Sequence, residues 1–463
     1  MYFEQFYLTC LAHASYMIGS GGEAAVIDPQ RDVEIYLEAA REQNLRIRHI
    51  FETHLHADFV SGHKELAART GAQIYIGKCA GAKFSHVPLF DGFALNMGKV
   101  SLRVLETPGH TPEGICLVVT DLETSPEPWA ILTGDTLFIG DVGRPDLSPV
   151  YTPAQLAGLL YDSLHQKLLA LPDSVLVYPA HGAGSLCGRS MRAERSSTIG
   201  TERLTNYALQ IKSREEFIQQ LTSNLPARPD YFLKDAEINR SGAAALTDLP
   251  SLPALTPAQV KERLAEHANV LDVRPADQFA AAHVPGSINI ALSGQFASWA
   301  GNVLGLDSNP VIIAETDAQV EEARTRLARV GIEALAGYLA GGFASWQNAG
   351  LPVAVTRQIS VEQLNRDLRD NKISVLDVRR EGEWQAGHIP HACWHALDAF
   401  AHDLPAVSAA APVAVHCKSG YRSIIACSLL ERAGHRNLVN VLGGFDAWHA
   451  AGLPEVSEQP AKV

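Results

Sequence analysis

The chain has 463 residues, room for about three domains at roughly 150 residues each, and its 46% hydrophobic and 19% charged content is that of globular protein, not of a disordered or fibrous chain. Lys and Arg number 38 against 51 Asp and Glu, so the net charge is 38 − 51 = −13 with neutral histidines, which argues against nucleic acid or an anionic membrane as a partner. The opening MYFEQFYLTC lacks a basic stretch ahead of an apolar one, no run of 18 apolar residues occurs, and the seven cysteines form no C-x-x-C pair; together these predict a cytoplasmic chain with free thiols.

From the N-terminus, apolar runs predict strands over Ala24–Ile27, Ile47–Glu52, Gln73–Ile76, Ser101–Thr107, Ile115–Thr120, Trp129–Leu132 and Val175–Tyr178. Helices are predicted over Asp32–Gln43, Gly62–Arg69 and Thr152–Leu169. Many strands with few helices between them fit an αββα sandwich over residues 1–250 better than a doubly wound sheet. The strand Ile47–Glu52 runs straight into Thr53-His54-Leu55-His56-Ala57-Asp58-Phe59. His110, Asp135 and His181 follow three other strands in the same way, in Thr107-Pro-Gly-His, Leu132-Thr-Gly-Asp and Tyr178-Pro-Ala-His. Strand ends along one sheet edge are where open sheets collect ligands. One histidine so placed is ordinarily a core or surface residue. Imidazoles and carboxylates gathered after four strands, without thiolate, predict a metal centre for Zn, Fe, Mn or Ni.

These motifs, T-H-x-H-x-D with T-P-G-H-T, G-D-T-L-F and Y-P-A-H-G, resemble the metallo-β-lactamase superfamily across residues 1–250. The superfamily pattern H-x-H-x-D-H ends in a histidine for a second metal, and Phe59 stands there in this chain. A phenyl ring has no lone pair to donate, so the resemblance implies an incomplete two-metal site. That weakens the alternative reading, a zinc thioester hydrolase of the glyoxalase II type. The remaining details are similar to the persulfide dioxygenase branch. This implies one Fe(II) per chain, with Zn as the alternative, on His54, His110 and Asp135, leaving positions open for O2 and a persulfide. His56, Asp58 and His181 then orient ligands or carry protons. Arg144, in Ile139-Gly-Asp-Val-Gly-Arg-Pro-Asp146, and Tyr178 are the candidate substrate-binding residues; the competing reading of Arg144 is an ion pair with Asp146 or Asp141.

The C-terminal half repeats itself. Val270-Leu-Asp-Val-Arg274 with Ala282-His-Val-Pro-Gly286 recurs as Val375-Leu-Asp-Val-Arg379 with Gly387-His-Ile-Pro-His391, an offset of 375 − 270 = 105 residues. Gly341-Gly-Phe-Ala-Ser-Trp346 recurs as Gly443-Gly-Phe-Asp-Ala-Trp448, an offset of 443 − 341 = 102. Two copies of one domain are therefore expected at 253–355 and 357–463, with Pro226–Pro253 as the junction to the first domain. Thr256 with Gln259, and Ser360 with Gln363, predict capping boxes at the first helix of each copy. Short apolar strands alternating with helices predict parallel sheets.

In the second copy the strand Pro412–His416 leads into Cys417-Lys418-Ser419-Gly420-Tyr421-Arg422-Ser423, with a helix expected from about Ser423. Loop N–H groups, a helix N-terminus and the Arg422 charge in such a cradle favour a thiolate. With the flanking repeats, this loop resembles the rhodanese family. Tyrosine phosphatases carry H-C-x5-R; here four residues separate Cys417 from Arg422, one fewer, which suits a sulfur atom better than phosphate. Matching Pro310 to Pro412 puts Glu315 at the Cys417 position and Val320 at that of Arg422, so the first copy is expected to be inert. The resemblances imply a fused persulfide dioxygenase and sulfurtransferase. Its expected partners are a small persulfide such as glutathione persulfide, O2, and thiosulfate or sulfite; a homo-oligomer is left open.

Overall fold

The computed structural model describes residues 1–223, 225, 227–407 and 411–457. Pro226, which opens the expected junction, and residues 458–463 of the last expected domain lie outside the described residues. The chain forms two compact units, Met1–Leu249 with Ala328–Gly331, and Pro250–Leu327 with Ile332–Val463.

The first unit holds two six-stranded sheets. One runs in sequence order through β1 (Tyr2–Leu8), β2 (His13–Ser20), β3 (Glu23–Ile27), β4 (Arg46–Glu52), β5 (Gln73–Gly77) and β6 (Val87–Leu89). The other contains β7 (Ala94–Met97), β8 (Val100–Glu106), β9 (Ile115–Asp121), β10 (Ala130–Gly134), β11 (Leu176–Pro179) and β12 (Ser197–Thr198). Successive strand residues point to opposite faces, and here both faces are buried. Ile18, Ile27 and Phe51 meet Leu102, Leu117 and Leu132 in a core between the sheets. Their neighbours Met17, Val26 and Ile50 face outward, under Tyr36 and Leu66 of the helices Glu34–Glu42 and His63–Thr70. Val118, Ile131 and Val177 are covered on the other side by Leu160 and Leu164 of the helical stretch after Thr152. This is the αββα sandwich, and double burial is why its strands read as unbroken apolar runs.

Two local expectations change. The stretch expected as one helix over Thr152–Leu169 is an α-helix over Pro153–Asp162, opened by a reciprocal Thr152/Gln155 box, followed by a π-helical turn over Ser163–Leu168. The expected junction contains a helix, Tyr231–Ser241. Its buried residues are Tyr231, Phe232, Asp235 and Asn239, half of them polar, so no apolar period marks it.

The second unit holds two five-stranded parallel sheets of identical topology. Their orders are β13 (Ala254–Leu255), β17 (Gly337–Leu339), β16 (Val311–Ile313), β14 (Val270–Asp272), β15 (Ile288–Asn289), and β18 (Arg357–Ile359), β22 (Leu438–Val441), β21 (Val413–His416), β19 (Ser374–Asp377), β20 (Cys393–Trp394). The repeated Leu-Asp-Val-Arg is structural. Asp272 holds Arg274 at 2.6 Å and Asp377 holds Arg379 at 2.6 Å, and each guanidinium lies about 4 Å over the Phe of the following Gly-Gly-Phe, Phe343 or Phe445. The capping box at Thr256 is complete, but that at Ser360 is half made, because the Gln363 side chain turns to Asp367 and Arg366. Among the described residues no helix is long and apolar enough to cross a membrane.

Candidate metal centre and sulfur cradle

His54 follows β4, His110 follows β8 and Asp135 follows β10, so the donors come from strand ends of both sheets rather than from one edge. His54 Nε2, His110 Nε2 and one Asp135 oxygen lie within 4.8 Å of one another, with Asp135 Oδ2 3.7 Å from His54 Nε2 and 3.3 Å from His110 Nε2. All three residues are buried, and none of these three atoms has a hydrogen-bond partner among the described residues. Buried polar atoms are rarely left so. Every other ring nitrogen is engaged. The Thr53 hydroxyl donates to Asp28 Oδ2 at 2.9 Å and so accepts from His54 Nδ1 at 3.0 Å, while His110 Nδ1 donates to the Arg144 carbonyl at 2.9 Å. Each imidazole is thus locked with its Nε2 lone pair aimed at the common point. Burial lowers the pKa of both rings, keeping them neutral ligands. Burial opposes the Asp135 charge, yet His181 and His54 hold its carboxyl well below the usual range. Two neutral imidazoles and one carboxylate, with three lone pairs converging, fit a divalent ion.

The remaining predicted residues divide. His181 bridges two carboxylates, with Nδ1 2.7 Å from Asp135 Oδ1 and Nε2 2.9 Å from Asp58 Oδ2. Cys187 joins Asp58 and His181, with ligand atoms within 4.8 Å. His56 packs on His54 at 4.2 Å between ring centroids, with its Nε2 facing Asp28 at 3.1 Å and Glu52 at 3.5 Å. Phe59 is fully buried and packs on His13 and His56 at 4.1 and 4.4 Å between ring centroids, so it does face the site. The Arg144 guanidinium forks onto Asp146 at 2.6 and 2.8 Å, the ion pair named as the competing reading, and its carbonyl orients His110. Tyr178 lies on β11. Strand alternation turns it to the inner face, among Phe3, Tyr16 and Trp129 at 4.8, 5.9 and 6.1 Å.

Three contributors had no signal in the sequence. Asn239, from the unexpected helix, donates to the carbonyls of His56 and Phe59 at 2.8 and 2.7 Å and accepts from Ser61 N at 2.8 Å. Glu113 accepts from Leu55 N at 3.0 Å. His13 is wholly buried, 5.7 Å from His56 and 5.4 Å from His181 between ring centroids. A cavity of about 210 Å³ opens beside the metal loop, lined among others by Leu55, Ala57, Thr111, Tyr151, Phe232 and Arg240.

In the second unit Cys417 is buried at the end of β21. Its sulfur accepts from Gly420 N at 3.1 Å and lies 3.7 Å from Ser423 Oγ, which donates to Asn440 Oδ1 at 2.7 Å. Phe445 N and Asp446 N hold the Cys417 and Lys418 carbonyls at 2.8 and 2.9 Å, and a Cβ on Gly444 would collide with both. The helix begins at Tyr421, two residues earlier than expected, with Gly420 in the left-handed region at φ 108° as its N-cap. Lys418 and Ser419 are exposed at the rim. Two cradle residues have partners outside the loop. Arg422 forks onto Glu383 at 2.6 and 2.7 Å, and its guanidinium still interacts electrostatically with the Cys417 sulfur. The Tyr421 hydroxyl turns away to the Ala291 carbonyl.

The first copy needs a correction of register. Asp272 pairs with Ile313 as Asp377 pairs with His416, so the residue matching Cys417 is Ala314, not Glu315. Pro310 and Pro412 are not structural equivalents, and matching them slips the alignment by one. A methyl group cannot carry sulfur either. Moreover, Gln319 Oε1 already accepts from Glu315 N and Thr316 N at 3.0 and 3.3 Å, occupying loop amides that would otherwise serve an anion.

A family model for the metallo-β-lactamase superfamily matches residues 8–181, and one for the rhodanese-like domain matches 256–349 and 360–451. The mitochondrial persulfide dioxygenase ETHE1 of Bos taurus is 32% identical over 222 residues, which is 46% of this chain and 77% of that protein. The Homo sapiens protein of the same name is 31% identical over 221 residues, with the same shares. A crystal structure of a metallo-β-lactamase from Staphylococcus aureus subsp. aureus COL is 34% identical, with a TM-score of 0.66, and covers 73% of this chain and 98% of that one. With this sandwich, this strand-end donor set and the duplicated parallel sheets, the chain belongs to the metallo-β-lactamase superfamily, as a homologue of persulfide dioxygenases that carries two further rhodanese-like domains.

Proposed function

We propose that the chain is a cytoplasmic enzyme of sulfur metabolism joining a persulfide dioxygenase to a thiosulfate sulfurtransferase. The observation that carries the first half is the set of three unpartnered donors, His54 Nε2, His110 Nε2 and Asp135 Oδ2. His56 Nε2 faces Asp28 and Glu52, and Phe59 stands where the superfamily pattern has a further histidine, which supports one metal with open positions over a bridged pair. Fe(II) bound there supplies the one-electron chemistry that lets O2 react with a persulfide. The net reaction is R-S-SH + O2 + H2O → R-SH + SO3²⁻ + 2 H⁺. Thr53 and the Arg144 carbonyl orient the two imidazoles, Phe59 keeps water from one side, and His181 holds a proton at Nδ1 against Asp135. The cavity beside Leu55 and Thr111 receives the thiol carrier, of which glutathione is the candidate.

In the second unit Cys417 attacks the outer sulfur of thiosulfate. The S–S bond breaks, sulfite leaves with its electron pair, and Cys417 becomes a persulfide; the reverse step makes thiosulfate from sulfite. The Gly420 N–H on Sγ supports an anionic sulfur there. The test is metal analysis with O2 uptake on glutathione persulfide. About one iron per chain with O2 consumption is expected, since three protein ligands hold one open-sited ion. Two tightly bound zinc ions with thioester hydrolysis and no O2 uptake would overturn the proposal in favour of a glyoxalase II-type hydrolase.

A further inference from the structure

We propose that the inert rhodanese-like domain is the scaffold that sets the geometry of the sulfur cradle, with Tyr421 as the positioning residue; this rests on the reading of Cys417 as the sulfur carrier. The helix Tyr421–Arg432 starts at the cradle, and the other domain of the same unit holds it along its whole length. In its first turn the Tyr421 hydroxyl donates to the Ala291 carbonyl at 2.9 Å. Halfway along, Ser428 Oγ accepts from Asn289 N at 3.1 Å. In its last turn Glu431 meets His283 Nε2 at 3.1 Å, and Arg432 donates to the His267 and Ala268 carbonyls at 2.8 and 3.2 Å.

These contacts have a common origin in the inert domain. Asn289 belongs to β15, an edge strand of its sheet, and edge strands carry backbone groups without a strand partner. The helix of the neighbouring domain takes one of them up. Tyr421 directly follows Gly420, whose N–H reaches the sulfur at 3.1 Å. A hydrogen bond of that length weakens steeply when its donor tilts, so whatever fixes Tyr421 fixes the donor. The Tyr421 hydroxyl donates to the neighbouring domain. The loss of a nucleophile at Ala314 and the self-bonded loop at Gln319 leave the inert domain with no sulfur chemistry and with this contact intact.

The experiment compares full-length wild type with Tyr421→Phe, which keeps the ring and removes the hydroxyl. Four readouts are taken: the pH profile of Cys417 alkylation by iodoacetamide, thiosulfate turnover, thermal melting as the folding control, and O2 uptake on glutathione persulfide as the control for the first unit. Tyr421→Phe should slow alkylation at neutral pH and turnover by about fivefold, the worth of one neutral hydrogen bond, with O2 uptake unchanged. Glu431→Gln, which weakens the far end of the same helix, should move the alkylation profile in the same direction. Wild-type alkylation and turnover in both variants, even with a lowered melting temperature, would reduce the contact to stability and overturn the proposal. Cys417→Ser separates the two readings: thiosulfate turnover surviving in it would sink the carrier assignment itself, whatever Tyr421→Phe does.

Discussion

Asp135 does two jobs with two oxygens. Oδ1 takes the hydrogen bond of His181, while Oδ2 is left facing His54 and His110. Removing the carboxylate leaves two imidazoles without the anionic ligand, and Asp135→Ala should lose bound metal and O2 uptake while thiosulfate turnover survives; metal analysis beside the two assays checks this. Phe59 is the counterpart test. Its ring already touches His13 and His56, so Phe59→His places a new nitrogen beside these two imidazoles. The expected result is a higher metal-to-protein ratio, and an unchanged ratio would mean that position 59 offers nothing to a second ion. At Cys417 the prediction is categorical, because Ala314 stands at the matching place in the other copy. Cys417→Ser should abolish sulfur transfer, and residual turnover would require a carrier elsewhere.

The metal loop between β4 and the helix His63–Thr70 is irregular, so its backbone groups need partners from outside. Asn239 supplies three of them from the helix Tyr231–Ser241. Asn239→Ala would leave two carbonyls and one N–H buried without a bond, at a cost of about 1–3 kcal/mol per group. The first unit should melt at lower temperature and hold its metal less tightly, which calorimetry and chelator competition measure. Gly143 acts on the same centre by its smallness. A Cβ there would collide with the Asp135 carbonyl and the His110 ring. Gly143→Ala should therefore displace His110 and lower metal occupancy with little effect on sulfur transfer. Neither residue carries a signal in sequence, since one belongs to a helix whose buried face is half polar and the other is one glycine among 36.

At the scale of the molecule, a persulfide and sulfite are common to both proposed reactions, and one chain keeps them at high local concentration. Cys417→Ser should leave O2 uptake on free persulfide unchanged but shift the product ratio toward sulfite, since sulfite would no longer be converted to thiosulfate. O2 uptake driven by thiosulfate plus thiol should disappear. Product analysis of wild type and variant under one O2 supply decides it. Identical yields would mean that the two activities share a chain without sharing chemistry.

Local pattern and side-chain chemistry are legible in the amino-acid order alone. Apolar runs named the strands, because strands buried on both faces need side chains of one kind. Donor types after strand ends named a metal centre, and two copies of Leu-Asp-Val-Arg and Gly-Gly-Phe named a duplicated domain. The tertiary structure decided which polar atoms are left over. Thr53, Arg144 and His181 use up one side of each ligand, whereas His56 Nε2 faces Asp28 and Glu52. It also decided that Arg422 goes to Glu383, that Tyr421 goes to Ala291, and that Ala314 rather than Glu315 stands opposite Cys417 in the repeat. All but the contacts of Thr53 and Glu52 are choices of partner between residues distant in the chain. Such choices follow from sheet register and from the cost of burying an unpaired polar group, and neither is a property of any short stretch of sequence.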